Sequence, residues 1–178
     1  IMYTNSWNDP TVESQVAKAL MDRGCDGISE HSDSTAPATT AEDNGVWQVG
    51  YNNDMIEAAP NASLISPRID WGIYVTEAVQ AMIDGEEIPT DWCKGLADGA
   101  VYLSPLNENI AAEGTQEAID EAAEKIKSGE LHVFAGPLKG VSPEGEEYEV
   151  AEGEYYHEQE EASAPSWLYI VDGCTVVE

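Results

Sequence analysis

The sequence predicts an α/β protein built on a parallel sheet. Three observations predict it. Apolar runs at 1–5, 27–31 and 47–51 read as strands. Two helical patterns separate them, each closed by a glycine, Gly24 and Gly45. That spacing describes a βαβαβ unit with parallel strands.

IMYTN (1–5) is the first expected strand. Asp9 then makes a good N-cap with Pro10 at the first helical position. Val12, Val16, Ala17, Leu20 and Met21 recur at helical spacing up to Gly24. GISEH (27–31) is the second strand, Ser34 or Thr35 caps a short helix, and WQVGY (47–51) is the third strand. ASLIS (62–66) reads as a further strand. A long helix follows from Asp70 to Asp84, with Ile73, Ala78, Val79 and Met82 as its apolar stripe. GAVYLSP (99–105) and ELHVF (130–134) read as strands on either side of an acidic helix from Thr115 to Ser128. Ala118, Ile119, Ala122 and Ile126 form the inward face of that helix. Residues 139–163 read as a solvated loop or hairpin, with 152–161 too exposed to hold calcium more than weakly. Asp172-Gly173 signals a closing hairpin turn.

In open α/β sheets ligands bind at the carboxyl edge of the strands. The loops expected there are SWNDP (6–10), HSDSTAP (31–37) and YNNDM (51–55). The Trp7 face can stack on a flat ring or a sugar, or it can simply cover the sheet edge. Asn8 is a bidentate hydrogen-bonder. His31, Asp33 and Ser34 offer ligand hydrogen bonds. As neighbours on one loop they point apart, which is unlike a catalytic triad, and there is no GxSxG elbow. Asn53 and Asp54 can take N–H donors of a heterocycle or serve ordinary turn chemistry. Asp70 and Trp71 open the long helix and can face the same cleft. No GxGxxG or GK[ST] phosphate loop occurs. No cofactor is implied.

Lys and Arg number 7 against 35 Asp and Glu, a formal net charge of -28. Such a surface repels nucleic-acid phosphates and anionic lipid, so nucleic acid is excluded as a partner. Strong salt screens this self-repulsion, so the composition is read as that of a protein from a salt-loving organism, with an acidic secreted protein as the alternative. Cys25, Cys93 and Cys174 show no CxxC or metal-ligand spacing and are expected as small buried apolar groups, with a disulfide between two of them left open. His31, His132 and His157 form no metal motif, so no metal site is expected. Ile1 opens on a strand in full stride, so a longer protein is expected.

SWNDP, GCDGISEHSDSTAP, GYNNDM, PNASLIS, DWGIYV, GLADGAVYLSPLN and SGELHVFAGP follow one another in order. With these motifs the sequence resembles the basic membrane protein (BMP) family, the substrate-binding lipoproteins of ABC transporters that include purine nucleoside receptors. The resemblance implies a type I periplasmic-binding-protein fold, two Rossmann-like lobes with helices on both sheet faces. Residues 1–65 would be the core of the second lobe, and 66–90 a hinge-crossing strand and helix packing on the first lobe. Residues 91–138 would return to the second lobe, and 139–178 would form a C-terminal loop and hairpin. It further implies a non-enzymatic protein that binds a purine base or nucleoside and hands it to permease subunits in the membrane. An N-terminal lipid anchor would hold it at the outer face of the plasma membrane. Asp54 matches the family's ligand-loop aspartate. After LIS (64–66) the chain reads Pro67-Arg68-Ile69-Asp70-Trp71, without the lysine of nucleoside-binding members. SWNDP and HSDS resemble the subgroup that takes a free base such as adenine. Two other classes stay open: a ligand-sensing regulatory domain of this fold, and a nucleoside hydrolase using Asp33 with His31.

Overall fold

The computed structural model describes residues 1–158, 163 and 165–177. They fall into two compact units, one of residues 1–69 and 101–119 and the other of 70–100 and 120–177.

The first unit carries the parallel sheet. Helix α1 (Pro10–Asp22) starts where Asp9 accepts the N–H groups of Thr11 and Val12, each at 3.1 Å. These are donors that the helix itself leaves unpaired. The helix stops before Gly24, which takes the left-handed φ of 95°. Strands β1 (Gly27–Ser29), β2 (Trp47–Val49) and β3 (Ser63–Ile65) pair in that order, all parallel, with Ile28 opposite Gln48 and Val49 opposite Ile65. Between β1 and β2 runs α2 (Ala36–Asn44), ended by Gly45 at φ 69°. The core joins Ile28 and Met55 to Ala38, Ala41, Ala59 and Ala62, with Leu20, Met21 and Val46 against them. Alanines on the inner face of α2 let that helix lie close to the sheet. Asn107 is buried, and its side-chain amide donates to the carbonyls of Pro60 and Ser63, both at 2.8 Å. This ties the returning segment to the start of β3. β4 (Pro67–Ile69) pairs antiparallel with β5 (Val101–Leu103).

In the second unit, α3 (Trp71–Asp84) is capped by Asp70, which accepts the Gly72 N–H at 2.8 Å. None of its residues is buried, and Trp71, Val75, Val79, Met82 and Ile83 are exposed. Glu77 accepts hydrogen bonds from Trp92 Nε1 and Lys94. β6 (Leu138–Val141) lies between β7 (Glu147–Val150) and β8 (Ile170–Val171), antiparallel to both. Aromatic rings hold this sheet together: Phe134 stacks on Trp167 at 4.2 Å and Tyr148 on Tyr169 at 4.6 Å. Helix α4 (Thr115–Ser128) spans the division between the units.

Several expectations are corrected. IMYTN forms no strand: Asn5 turns the chain at φ 54° and Thr4 Oγ1 donates to the Ser6 carbonyl, so the extended conformation breaks off. ELHVF forms no strand either, because His132 and Phe134 are drawn into ring stacks with Tyr155 and Trp167. The apolar stripe of α3 is exposed at Val79 and Met82. Ala118 and Ile126 of α4 are exposed as well. The Asp172-Gly173 turn exists, but β8 pairs with β6 and not with the residues after the turn. All three cysteines are exposed. Residues 139–150 do form a hairpin. Of the acidic stretch 152–161, residues 159–161 lie outside the described residues.

Candidate ligand-binding site

The parallel strands of the first unit bring their carboxyl ends to one edge, and the loops there are linked. The backbone N–H of Asp33 donates to the carbonyl of Trp7 at 2.8 Å, joining the loop before α1 to the loop after β1. The rings of His31 and Tyr51 lie 4.1 Å apart at 30°, joining that second loop to the one after β2. Arg68 Nε donates to the Asn52 carbonyl at 3.3 Å, and its guanidinium lies over the Tyr102 ring, so it is engaged in holding the third loop.

Trp7 and His31 line a cleft of about 470 Å³. That volume is in the range of small-molecule sites. Val16, Ala17, Leu20, Ile28 and Pro37 give it apolar surface, and Thr4, Asn5, Ser6, Ser29 and Ser32 add polar groups. At its floor are two buried carboxyl groups that sequence reasoning missed. Glu13, 1% exposed, accepts the backbone N–H of Asp9 at 2.7 Å with Oε1 and the Ser34 hydroxyl with Oε2. Glu30, 7% exposed, accepts from Gln48 Nε2 at 2.7 Å with Oε1. Its Oε2 has no hydrogen-bond partner among the described residues. Burial, with the neighbouring Glu13 carboxylate adding to it, pushes the Glu30 carboxyl up to about 8, and the Gln48 hydrogen bond opposes the shift. The one available signal was period two: Glu30 shares a strand face with Ile28 and so points where Ile28 points.

The candidate residues divide. Trp7 and His31 line the cleft, and Trp7 is 67% exposed. Asp33 is held to Trp7 through its backbone, and Ser34 is bound to Glu13 and to the Ala36 N–H. The Asn8 N–H donates to the Ser6 hydroxyl at 3.3 Å. Asn53 and Asp54 do not line this cleft. The Asn53 N–H donates to the Tyr51 carbonyl, and Asp54 accepts the Ile56 N–H at 3.0 Å, which is local turn chemistry. Asp54 lines a separate hollow with Glu57 and Asn107. Asp70 and Trp71 belong to the second unit, where Asp70 caps α3.

The Ser34 hydroxyl donates to the Glu13 carboxylate and not to the His31 imidazole, so the two loop residues do not pair with each other. Among the described residues no three His, Cys, Asp or Glu side chains are grouped to hold a metal ion. No described helix is long and apolar enough to cross a membrane.

The sequence profile of the PnrA-like ABC transporter substrate-binding protein family matches residues 1–135. The chain belongs to this family. A purine-binding protein of Brucella abortus is 36% identical over 139 residues, covering 78% of this chain and 39% of that protein. A putative ABC transporter glucose-binding protein of Haloferax volcanii is 30% identical over 166 residues, covering 93% of this chain and 42% of that protein. The chain thus spans about two fifths of the length of these relatives. Two solved structures share the fold. One is a transcriptional activator of the comK gene from Bacillus halodurans, with TM-score 0.65 at 16% identity over 74% of this chain and 47% of that one. The other is an ABC transporter solute-binding protein from Conexibacter woesei, with TM-score 0.56 at 19% identity over 74% of this chain and 44% of that one. The architecture of this chain is therefore the α/β one of periplasmic binding proteins.

Proposed function

We propose that this chain is the ligand-gripping part of a solute-binding protein that takes a purine base or nucleoside and presents it to an ABC permease. The observation that carries the reading is the linked loop rim: Trp7, Asp33, His31 and Tyr51 meet beside a cleft with both apolar and polar lining. Trp7 stacks on the ring, and Asp33, His31 and Ser34 with Asn8 supply polar contacts at its edge. Asn53 and Asp54 contribute from the third loop when a first lobe closes on the ligand. The exposed apolar residues of α3 support a lobe packed there. The binding function of the Brucella relative supports a purine. The missing lysine after LIS favours the free base. The protein works outside the plasma membrane as a lipid-anchored, non-enzymatic component, in salt-rich surroundings suited to its charge of -28.

Glucose is the second ligand to weigh, because the Haloferax relative is described as binding it. Calorimetry on the full-length protein with adenine, guanosine and glucose decides. Heat with adenine or guanosine is expected. Heat with glucose alone, or no heat with either purine, overturns the purine reading.

A further inference from the structure

We propose that the cleft beside β1 is an open strand position of the parallel sheet, filled in the full-length protein by a strand that precedes Ile1 in sequence. The inference is independent of which ligand the loop rim takes.

Both walls of the cleft are stretches of chain without a ladder partner on that side. One wall is formed by residues 28–32, and the other by residues 2–7. β1 is the outermost strand of the sheet order β1-β2-β3. The Glu30 N–H donates to the Val49 carbonyl at 3.3 Å, so the main chain at positions 28 and 30 is turned to β2. Alternate residues of a parallel strand turn their N–H and C=O groups to opposite sides, which directs those of Ser29 and His31 into the cleft. Among the described residues the one backbone bond between the walls is that of the Asp33 N–H to the Trp7 carbonyl, beyond the end of β1. An open edge of this kind is a template for pairing with a further strand.

The opposite wall has the character of the next strand over. Met2 and Thr4 are half-buried while Tyr3 and Asn5 are exposed, the period-two alternation of a strand. IMYTN therefore has a strand's pattern and lacks a neighbour to bond. The cleft is lined over six residues on this side and five on the other, the length of an ordinary strand. One strand laid between them gives each wall its partner. Val16, Ala17 and Leu20 of α1 also line the cleft, so that strand buries apolar side chains against the helix. Glu13 and Glu30 line it too, which disfavours acidic side chains on the occupant.

The same polypeptide is the source that fits. This chain spans about two fifths of the length of its relatives, so they hold ample further sequence. Residues 2–7 form a wall of the cleft, whereas β8 near the other end of the chain belongs to the second unit. Every pairing in the sheet is parallel, and a parallel strand needs a crossover of about a dozen residues or more, so the strand lies at least that far before Ile1. A second copy is disfavoured, because two chains of charge -28 repel each other. With the slot filled, a ligand is confined to the rim at Trp7 and His31.

The test is hydrogen exchange at residue resolution on the full-length protein with no ligand added. The Ser29 and His31 amides are expected to exchange about a hundredfold or more slowly than in an unstructured peptide, on the scale of Ile28 and Glu30. A stretch about a dozen residues or more before Ile1 is expected to be protected with them. Fast exchange at Ser29 and His31 beside protected Ile28 and Glu30 overturns the proposal and leaves the binding reading standing. Protection that appears only when adenine is added places the ligand in the depth of the cleft and overturns it. Protection that is lost on dilution, together with a halved mass in sedimentation, places a second copy there and overturns it. A protected edge in a protein that gives no heat with any purine upholds the proposal and removes the purine reading.

Discussion

The carbonyl oxygen of Trp7 accepts the backbone N–H of Asp33 at 2.8 Å, although 25 residues, the whole of α1 among them, lie between the two in the chain. The bond uses main-chain atoms only. Both side chains are therefore left to contact a ligand while their backbones hold each other in place. A ring stacked on Trp7 meets a surface whose position is fixed by the loop after β1, which lowers the ordering cost of binding.

Trp7→Ala is expected to weaken binding of adenine by about tenfold to a hundredfold, the scale of one aromatic stack with its buried area. The side chain is largely exposed, so its removal is expected to leave stability within about 0.5 kcal/mol of wild type. Titration calorimetry and a denaturant melt on the same preparation check both halves. A variant that binds as tightly as wild type would show that Trp7 merely shields the sheet edge.

Glu13→Ala is expected to destabilise the first unit by about 2–4 kcal/mol. It removes the buried acceptor of the Asp9 N–H and of the Ser34 hydroxyl, two half-buried donors, and empties the space that the Glu13 side chain fills. Ser34→Ala removes one of the two bonds and is expected to cost less, about 1–2 kcal/mol. Urea unfolding of the two variants beside wild type orders them. Equal, small effects would mean that the loops are held by other contacts.

The pH dependence of stability follows from Glu30. Its carboxyl is raised from 4.5 to about 8 in the folded protein. Between those values the folded state binds more protons than the unfolded chain, so stability falls as pH rises. The contribution of Glu30 is fully present below about pH 4.5 and is lost as pH climbs to about 8, at up to about 1.4 kcal/mol per unit. Other carboxylates titrate too, which makes the difference between wild type and Glu30→Gln the informative quantity. The variant is expected to gain on wild type steadily from pH 5 to pH 8 in urea unfolding. Parallel curves would show that Glu30 ionises at an ordinary value.

Much of the first unit was legible because its signals are local. Asp9-Pro10 fixes the start of α1, Gly45 the end of α2, and the interval between the second and third apolar runs gives parallel β1 and β2, whereas ASLIS was legible as a strand but not as the third member of that sheet. IMYTN misled because an apolar run states a preference for burial and not whether a ladder partner is present. Asn5 at positive φ then takes the chain out of the extended state. ELHVF misled in the same way, since rings distant in sequence claim His132 and Phe134. In the site, Trp7 and His31 were legible as edge-loop residues. Asp54 was not separable from turn chemistry, which is where the structure places it. Glu13 and Glu30 were hidden by type: a carboxylate in an amphipathic helix or at a strand end reads as solvent-facing. Only the strand period at Ile28 and Glu30 pointed inward.

The charge of the whole chain makes the last expectation. Five of the seven basic residues already stand beside carboxylates: Lys18, Lys94, Lys125, Lys127 and Lys139. These exposed pairs each contribute little, and they leave most of the 35 acidic groups facing one another. Repulsion among those groups acts in the folded state more than in the expanded one, because folding brings them closer. Raising salt from about 0.1 M to about 1 M shortens the screening length from about 10 Å to about 3 Å, below the usual spacing of surface charges. Screening also weakens the few attractive pairs, but repulsive neighbours outnumber them, so the net effect is stabilising. The melting temperature is therefore expected to rise by several degrees or more as KCl goes from 0.1 M to 1 M. Equimolar sucrose, which is uncharged, is expected to do less. A melting temperature that is flat in KCl would mean that the acidic groups are too widely spaced to repel one another.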